Sequence, residues 1–494
     1  MEALHGAVIP VGSQRSAGWP LRPPRLFFSN YRVPMSVPLR TRRIRSEDEA
    51  GAYLAGLINT EKERRVPYSR FDLEPIQRLV ERLGAPHADL SVIHLAGSKG
   101  KGSTALFTEA LLGAAGERVG TFTSPHLERW TERFRIDGRE VEGDLLAAAV
   151  ERVAPHVDAL READPRHAPT FFDATTAVAL VLFSEAKVDR CVFEVGLGGR
   201  LDSTNVVSPA VTCITGIEYE HTEQLGDTLA EIATEKAGIL KPGVPAVIGE
   251  LDDEAAEVVE MRAAEIGAPI ARLGREFEVE VLDEDLEGLS LRFFDGPLRV
   301  NARIHALGRH QANNAALALA CATRALEREP NTWLADAAAR GLGAARLPAR
   351  IELIERSPWL LVDSAHTRAS AAALAEALQR IPRRRAHLVL SISDGKDTEA
   401  ILKSLLPQVA EVTVTRAEPL RSLAPEEVAK LIREAAPRIA VQVVPNPHLA
   451  LRAARERLGP DDLLCVTGSI YLAGIARSIF SRPDSSGCAS VSRR

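Results

Sequence analysis

Eight residues, Gly97-Ser98-Lys99-Gly100-Lys101-Gly102-Ser103-Thr104, lie between the apolar run Val92-Ile93-His94-Leu95-Ala96 and an Ala/Leu-rich run over 105–115. Glycines let backbone N–H groups turn onto an anion, and the N-terminus of a following helix adds positive partial charge. Lys101 is placed to reach the outer phosphates of a nucleotide and Ser103 to reach Mg²⁺. The spacing G-x-x-G-K-G-S is a shortened variant of the common phosphate loop G-x-x-x-x-G-K-[ST]. Strand, glycine turn and helix together predict an ATP site; the alternative is a glycine-rich turn with no ligand.

Two further groups stand at the ends of apolar runs. Arg190–Glu194 ends in a carboxylate and continues into V-G-L-G-G-R-L-D-S-T-N over 195–205. A carboxylate at a strand's carboxyl end beside a glycine turn is placed like an Mg²⁺ holder of a nucleotide site. The run Ala210–Ile217 leads into Glu218-Tyr219-Glu220-His221-Thr222. A lone histidine there is more often a surface or core residue than a ligand; its company of two acids singles it out.

Positioning these groups requires a regular frame, and the pattern supplies one. Val92–Ala96, Val119–Thr123, Arg190–Glu194, Ala210–Ile217 and Val244–Ile248 read as buried strands, with helices such as Thr175–Glu185 and Thr228–Ile239 between them. That alternation predicts an α/β fold with a mostly parallel sheet, whose ligands gather at the carboxyl ends of its strands. Phe277–Ile304 reads as an antiparallel excursion, and an Ala-rich helix or helix pair follows His310 up to Gly341-Leu342-Gly343. Strand–helix alternation then restarts at Trp359–Asp363, His387–Ile392, Glu411–Thr415, Ala440–Val444 and Leu463–Thr467. The expected organisation is a central domain over 46–343 and a smaller α/β domain over 348–481, with the site between them.

With 494 residues the chain has length for two cores. A net charge of −6 gives no general attraction for nucleic acid, and no apolar run is long enough to span a bilayer. Cys191, Cys213, Cys321, Cys465 and Cys488 are scattered, with no C-x-x-C pair, and read as thiols of a reducing compartment. The expected setting is cytoplasmic, and no heptad or similar pairing signal argues against a monomer. Residues 1–45 carry eight arginines and Glu2 as their sole acid. Such composition suits a transit peptide, but prolines at 20, 23, 24, 34 and 38 favour a disordered extension, or an upstream start with Met35 as first residue. The Ser-rich stretch 482–494 also reads as disordered.

The ordered markers identify a resemblance. H-L-A-G-S-K-G-K-G-S-T (94–104), T-S-P-H-L (123–127), F-E-V-G-L-G-G-R-L-D-S-T-N (193–205) and the run 220–243 resemble the folylpolyglutamate synthase/dihydrofolate synthase family of the Mur ligase superfamily. G-R-H-Q-A-N-N-A (308–315), V-D-S-A-H-T (362–367), S-D-G-K-D (393–397) and G-S-I-Y-L-A-G (468–474) extend it from about Glu47 to Phe480. It implies a P-loop ATPase domain followed by a Rossmann-like glutamate-ligase domain. The implied reaction joins L-glutamate to the carboxylate of dihydropteroate or a tetrahydrofolyl-polyglutamate through an acyl phosphate, with ADP and phosphate released. A cell-wall ligase acting on a UDP-linked precursor, or a silent ATP-binding relative, are the alternatives.

The resemblance implies that Gly97 to Thr104 cradle ATP, with Lys101 on its β/γ-phosphates, and that Ser124, Glu194 and His221 hold Mg²⁺. Lys236 falls where the family carries a carbamate, able to hold a second ion; its other role is a salt bridge, for which Glu235 is available. Lys101, Lys236 and His221 are therefore the implied catalytic set. Asp202, with Arg200 beside it, matches the acceptor-binding position, while Gln311 and Asn314 match positions near the adenine. Arg350, Asp363 and His366 match the second domain's ATP contacts, although Asp363 is also a candidate cap for a helix starting near Ala369. Three departures stand out: Lys99 where Asn is usual, Leu347-Pro348-Ala349 before Arg350 in place of a Trp and Gly, and D-S-A-H-T in place of D-G-A-H-N. Asp173 stands where Glu is common.

Overall fold

The computed structural model describes residues 42–58, 72–326, 332–419 and 421–481. The expectations for the basic stretch up to residue 41 and for the 482–494 tail lie outside the described residues. Residues 42–45, expected to be disordered with that stretch, are instead fixed. Ile44 is buried and its N–H donates to Glu151 Oε2 at 2.8 Å, while the Arg42 guanidinium lies 4.7 Å from the Tyr53 ring centroid.

Helices α1 (Glu47–Ala55) and α2 (Glu74–Arg82) precede an eight-stranded sheet. Its strands are β1 (Val92–Ala96), β2 (Val119–Phe122), β3 (Phe134–Ile136), β4 (Arg139–Glu140), β5 (Arg190–Glu194), β6 (Pro209–Ile214), β7 (Ala246–Ile248) and β8 (Ile270–Arg272). They lie in the order β4-β3-β2-β5-β1-β6-β7-β8, parallel except for the β2-β3-β4 edge. β1 is central: Leu95 is level with Glu194, and Ala96 with Ile214. The loops after β5, β1 and β6 consequently open side by side at one sheet edge, where parallel sheets bind ligands.

Alternate residues of β1 and β5 face opposite layers, as strand geometry requires. Ile93, Leu95 and Val192 pack with α3 (Lys101–Ala114), α9 (His310–Leu326) and α10 (Thr332–Ala344). Val92, Cys191 and Phe193 pack with α1, α2, α4 (Gly143–Ala163) and α5 (Phe171–Ala186). Under this second face Phe122 meets Phe134, Phe172 and Phe193 at ring-centroid distances of 5.6, 5.9 and 5.6 Å. Each such pair is worth about 0.5–1.5 kcal/mol beyond its burial, which makes the floor beneath Glu194 rigid. The sheet's other flank carries α6 (Thr222–Leu225), α7 (Leu229–Ala237) and α8 (Asp253–Ile266).

The excursion is a three-stranded antiparallel sheet of β9 (Phe277–Asp285), β10 (Gly288–Asp295) and β11 (Leu298–Ile304). A third sheet follows, with β12 (Glu352–Arg356), β13 (Trp359–Val362), β14 (Ala386–Leu390), β15 (Glu411–Val414), β16 (Ala440–Val443) and β17 (Leu463–Thr467) in the order β12-β13-β17-β14-β15-β16. Only the β12–β13 pair is antiparallel. Helices α11 (Arg368–Arg380), α12 (Thr398–Leu405), α13 (Pro425–Ala435), α14 (Pro447–Glu456) and α15 (Ile470–Phe480) complete this C-terminal domain.

The expected strands are present, three with the expected bounds and the others shifted or trimmed by one to three residues at an end, and β3, β4, β8 and β12 are additional. The run expected to end at Ile217 stops at Ile214, because Thr215 and Gly216 turn to hold the phosphate loop: Ser98 N donates to Gly216 O at 2.8 Å. Asp363 does not cap α11. Thr367 does, its hydroxyl accepting from Ser370 N.

Candidate active site

The phosphate loop ends at Gly100, whose left-handed backbone (φ 83°) caps α3. A Cβ there would stand 2.3 Å from Asn314 Oδ1, so only glycine fits between loop and α9. Ser98 fastens the loop to the β6 side through Glu218: its hydroxyl donates to Glu218 O (3.1 Å) and accepts from Glu218 N (2.9 Å). Lys101 folds back over its own loop, with Nζ donating to Gly97 O at 2.6 Å. Thr104 is fully buried behind it.

Glu194 is buried at the end of β5, where its Oε2 accepts a hydrogen bond from Ser124 N at 3.1 Å. A Cβ on Gly102 would lie 3.5 Å from the same oxygen, so the carboxylate backs directly onto the loop. Burial raises its pKa, while Lys101, the Ser124 N–H, Arg350 and Arg133 pull it down. A buried carboxylate so thinly paired, beside the Ser103 and Ser124 hydroxyls and a phosphate cradle, suits Mg²⁺, which binds through one or two carboxylates plus phosphate and water. Among the described residues no three His, Cys, Asp or Glu side chains converge into a metal cluster by themselves.

On the other side of the loop, Glu220 Oε1 receives Lys236 Nζ at 2.8 Å and Oε2 lies 4.0 Å from Lys99 Nζ. Burial would raise Glu220, yet Lys236, Lys101, Lys99 and His221 hold it at about 2. Burial lowers Lys236, against the pull of Glu220, its ion-pair partner. Glu235 instead binds Arg200, at 3.1 Å to Nε and 2.8 Å to Nη2. His221 opens α6 in the left-handed region (φ 48°). Its side chain is exposed at the cavity rim, where partial desolvation lowers the imidazole, against the pull of Glu220.

Asp202 is spent on its own chain. Oδ2 accepts from Gly196 N (3.0 Å) and Leu197 N (2.9 Å), and Oδ1 from the N–H and hydroxyl of Thr204. Thr204 Oγ1 in turn meets His94 Nε2 at 2.8 Å. Burial raises Asp202 to about 6. Asp173 now has an account: it closes the capping box of α5 with Thr170 and accepts from Ser203 Oγ at 2.7 Å, tying the helix start to the Asp202 turn.

The C-terminal domain brings Arg350, Asp363 and His366 to the same space. Arg350 donates to the Ser364 hydroxyl, so the serine of D-S-A-H-T anchors the arginine. Ala349 and Ile351 flank it at φ 53° and 51°, a strained setting for a β-branched residue. Asp363 holds that turn, accepting from Ile351 N at 2.8 Å and Ala365 N at 2.7 Å. His366 Nδ1–H donates to Ser364 O at 2.8 Å, and burial lowers the ring to about 3, so it is neutral. Asn314 Nδ2 donates to Gln311 Oε1 at 2.9 Å beside Gly100.

One cavity of about 1550 Å³ gathers Ser98 to Ser103, Ser124, Glu194, Asp202, His221, Gln311, Asn314, Arg350, Asp363 and His366. Gly97, Thr104, Lys236 and Arg200 do not line it. Glu220, Lys396, Arg421, Tyr471, Phe172 and Asp173 do. None of these six was assigned a role from sequence, although Lys396 and Tyr471 sit in the S-D-G-K-D and G-S-I-Y-L-A-G motifs.

Residues 95–322 match the Mur ligase middle domain and 349–470 the Mur ligase glutamate ligase domain. The dihydrofolate synthase/folylpolyglutamate synthase of Bacillus subtilis is 34% identical over 412 residues, covering 81% of this chain and 94% of that protein. A folylpolyglutamate synthase/dihydropteroate synthase of Haloferax volcanii is 34% identical over 432 residues, 84% of this chain, and the chain spans 49% of its length. The structure of E. coli FolC in complex with DHPP and ADP superimposes with a TM-score of 0.74 at 30% identity, covering 87% of this chain and 96% of that one. The chain therefore belongs to the dihydrofolate synthase/folylpolyglutamate synthase family of Mur-type, ATP-dependent glutamate ligases.

Proposed function

We propose that the protein uses ATP to activate the carboxylate of a folate-type acceptor, dihydropteroate or a tetrahydrofolyl-polyglutamate, and joins it to the α-amine of L-glutamate. The observation that carries this reading is one cavity lined by Lys101 and Glu194 of the loop region, by Phe172, Asp173 and Asp202, and by His366 and Lys396 of the C-terminal domain. The acceptor carboxylate attacks the γ-phosphorus of ATP and ADP leaves. The glutamate amine then attacks the acyl phosphate carbonyl, gives up a proton and expels phosphate. Lys101, Lys99 and the loop N–H groups neutralise and orient the phosphates, the larger part of phosphoryl-transfer catalysis. Enclosure between the two domains, 46–343 and 348–481, keeps water from the acyl phosphate.

Mg²⁺, when bound, neutralises charge on the phosphate oxygens; Glu194, Ser124 and His221 would hold it, with Ser103 as a further hydroxyl. A carbamate on Lys236 would need the neutral amine that burial favours, and would turn the Lys236–Glu220 pair into two anions, a donor set for a second ion. The reading takes the enzyme as a cytoplasmic monomer acting on small molecules, without nucleic acid or membrane, in keeping with its charge of −6 and its scattered cysteines. Incorporation of labelled L-glutamate into dihydropteroate or tetrahydrofolate by the purified protein, strictly dependent on ATP, is the expected result. Incorporation without ATP, or none with either acceptor, would refute it.

A further inference from the structure

The T-S-P-H-L segment touches both domains. At one end Ser124 N donates to Glu194. At the other, Leu127 packs into the C-terminal core formed by Leu360, Val466, Leu472 and their neighbours. There the Leu127 carbonyl lies against α15: a Cβ on Gly474 would come within 2.1 Å of Leu127 O and 2.8 Å of its carbonyl carbon. The obstruction is backbone, which no rotamer change relieves. Arg477, one turn on, stands 3.8 Å from Glu128.

The segment between these ends is stiff. The Glu132 carboxylate accepts from three successive N–H groups, Leu127 at 2.6 Å and Glu128 and Arg129 at 2.8 Å. Buried Arg133 donates from Nε to His126 Nδ1 at 2.9 Å, and Thr123 N donates to Arg133 O at 3.1 Å. A displacement at Leu127 therefore travels to Ser124 instead of being absorbed. The same helix α15 presents Ser469, Ile470 and Tyr471 to the cavity at its start.

We infer that the close approach of Gly474 to the Leu127 carbonyl couples the seating of the C-terminal domain to the placement of Ser124 against Glu194, making Gly474 a positioning residue of the nucleotide site. This rests on the ligase reading above, and it accounts for the final glycine of G-S-I-Y-L-A-G in the middle of a helix, where glycine is otherwise unfavourable.

The test is Gly474→Ala in the full chain. The Cβ clash offsets alanine's helix preference and lowers the melting temperature in either case, so the discriminating readout is ligand binding, which a merely structural glycine would leave unchanged. The inference predicts a folded protein whose calorimetric Kd for MgADP rises about tenfold, the scale of a sub-ångström misplacement, with faster amide exchange over 124–129. Glu132→Gln, which loosens the same segment without touching α15, is expected to weaken MgADP binding in the same direction. Wild-type MgADP affinity in folded Gly474→Ala overturns the inference; should that variant fail to fold, wild-type affinity in Glu132→Gln does so. Because MgADP binding needs no acceptor, failure of the acceptor assay is read separately.

Discussion

Lys236, behind the cavity wall, forms a 2.8 Å ion pair with Glu220, which lines the cavity, and the second oxygen of Glu220 lies 4.0 Å from Lys99 of the glycine-rich loop. One carboxylate thus ties α7 to the glycine-rich loop. Replacing only Lys236 removes the nearest partner of this carboxylate and leaves Lys99, 4.0 Å away, as its remaining ion pair.

Lys236→Met is accordingly expected to cost about 1–3 kcal/mol in urea unfolding at neutral pH, and Lys236→Met/Glu220→Gln to recover most of it. The pH sign follows from Glu220. Its folded pKa, about 2, lies below the ordinary 4.5. The stabilisation is therefore present above about 4.5 and is lost as pH falls toward 2. Lys236→Met should flatten that acid limb; an unchanged limb would contradict the pairing.

Lys99 supplies a second titration. Burial lowers it to about 8, with Glu220 opposing. It is protonated at neutral pH, so the affinity for MgADP should fall as pH rises through about 8, by roughly tenfold for one charge-assisted contact. Lys99→Arg, which stays charged, should show no such fall. Protein stability has the opposite sign, since a depressed lysine favours folding as pH rises from about 8 to 10.5.

Glu194→Gln removes the charge and keeps the shape. ADP formation should drop by at least about 10²-fold, while the ligand-free protein melts no lower than wild type, because a thinly paired buried carboxylate is costly. Undiminished turnover would sink the metal assignment.

Thr204→Val tests the strut that links His94 to Asp202. His94 Nδ1 is already buried without a partner. The substitution strips Nε2 as well and removes a donor from Asp202. A loss of about 1–3 kcal/mol is expected by denaturant unfolding, with Thr204→Ser close to wild type.

What could be read from the sequence was local. The Val92–Ala96 strand, the glycine loop and the helix from Lys101 are contiguous, and Glu194 and the Glu218–His221 group follow their strands directly. The β3–β4 hairpin was also legible in principle: Asp137-Gly138 is a strong two-residue turn signal, and both residues have positive φ. Partners across long separations were not. Ser98 meets Glu218, Asp173 meets Ser203, and Gly474 meets Leu127 only once the sheet edges are assembled. Arg200 is instructive in the other direction. Its place beside Asp202 suggested substrate binding, yet one helical turn of α7 presents Glu235 to it outside the cavity.

The most direct test is ADP release by the purified protein with MgATP and L-glutamate, comparing dihydropteroate, tetrahydrofolate and no acceptor. Release that depends on glutamate and on at least one of the two acceptors is predicted; dihydropteroate alone would make it a dihydrofolate synthase, tetrahydrofolate alone a polyglutamate synthase, and both a bifunctional enzyme. Release that ignores the acceptor, or silence with both, would contradict the account.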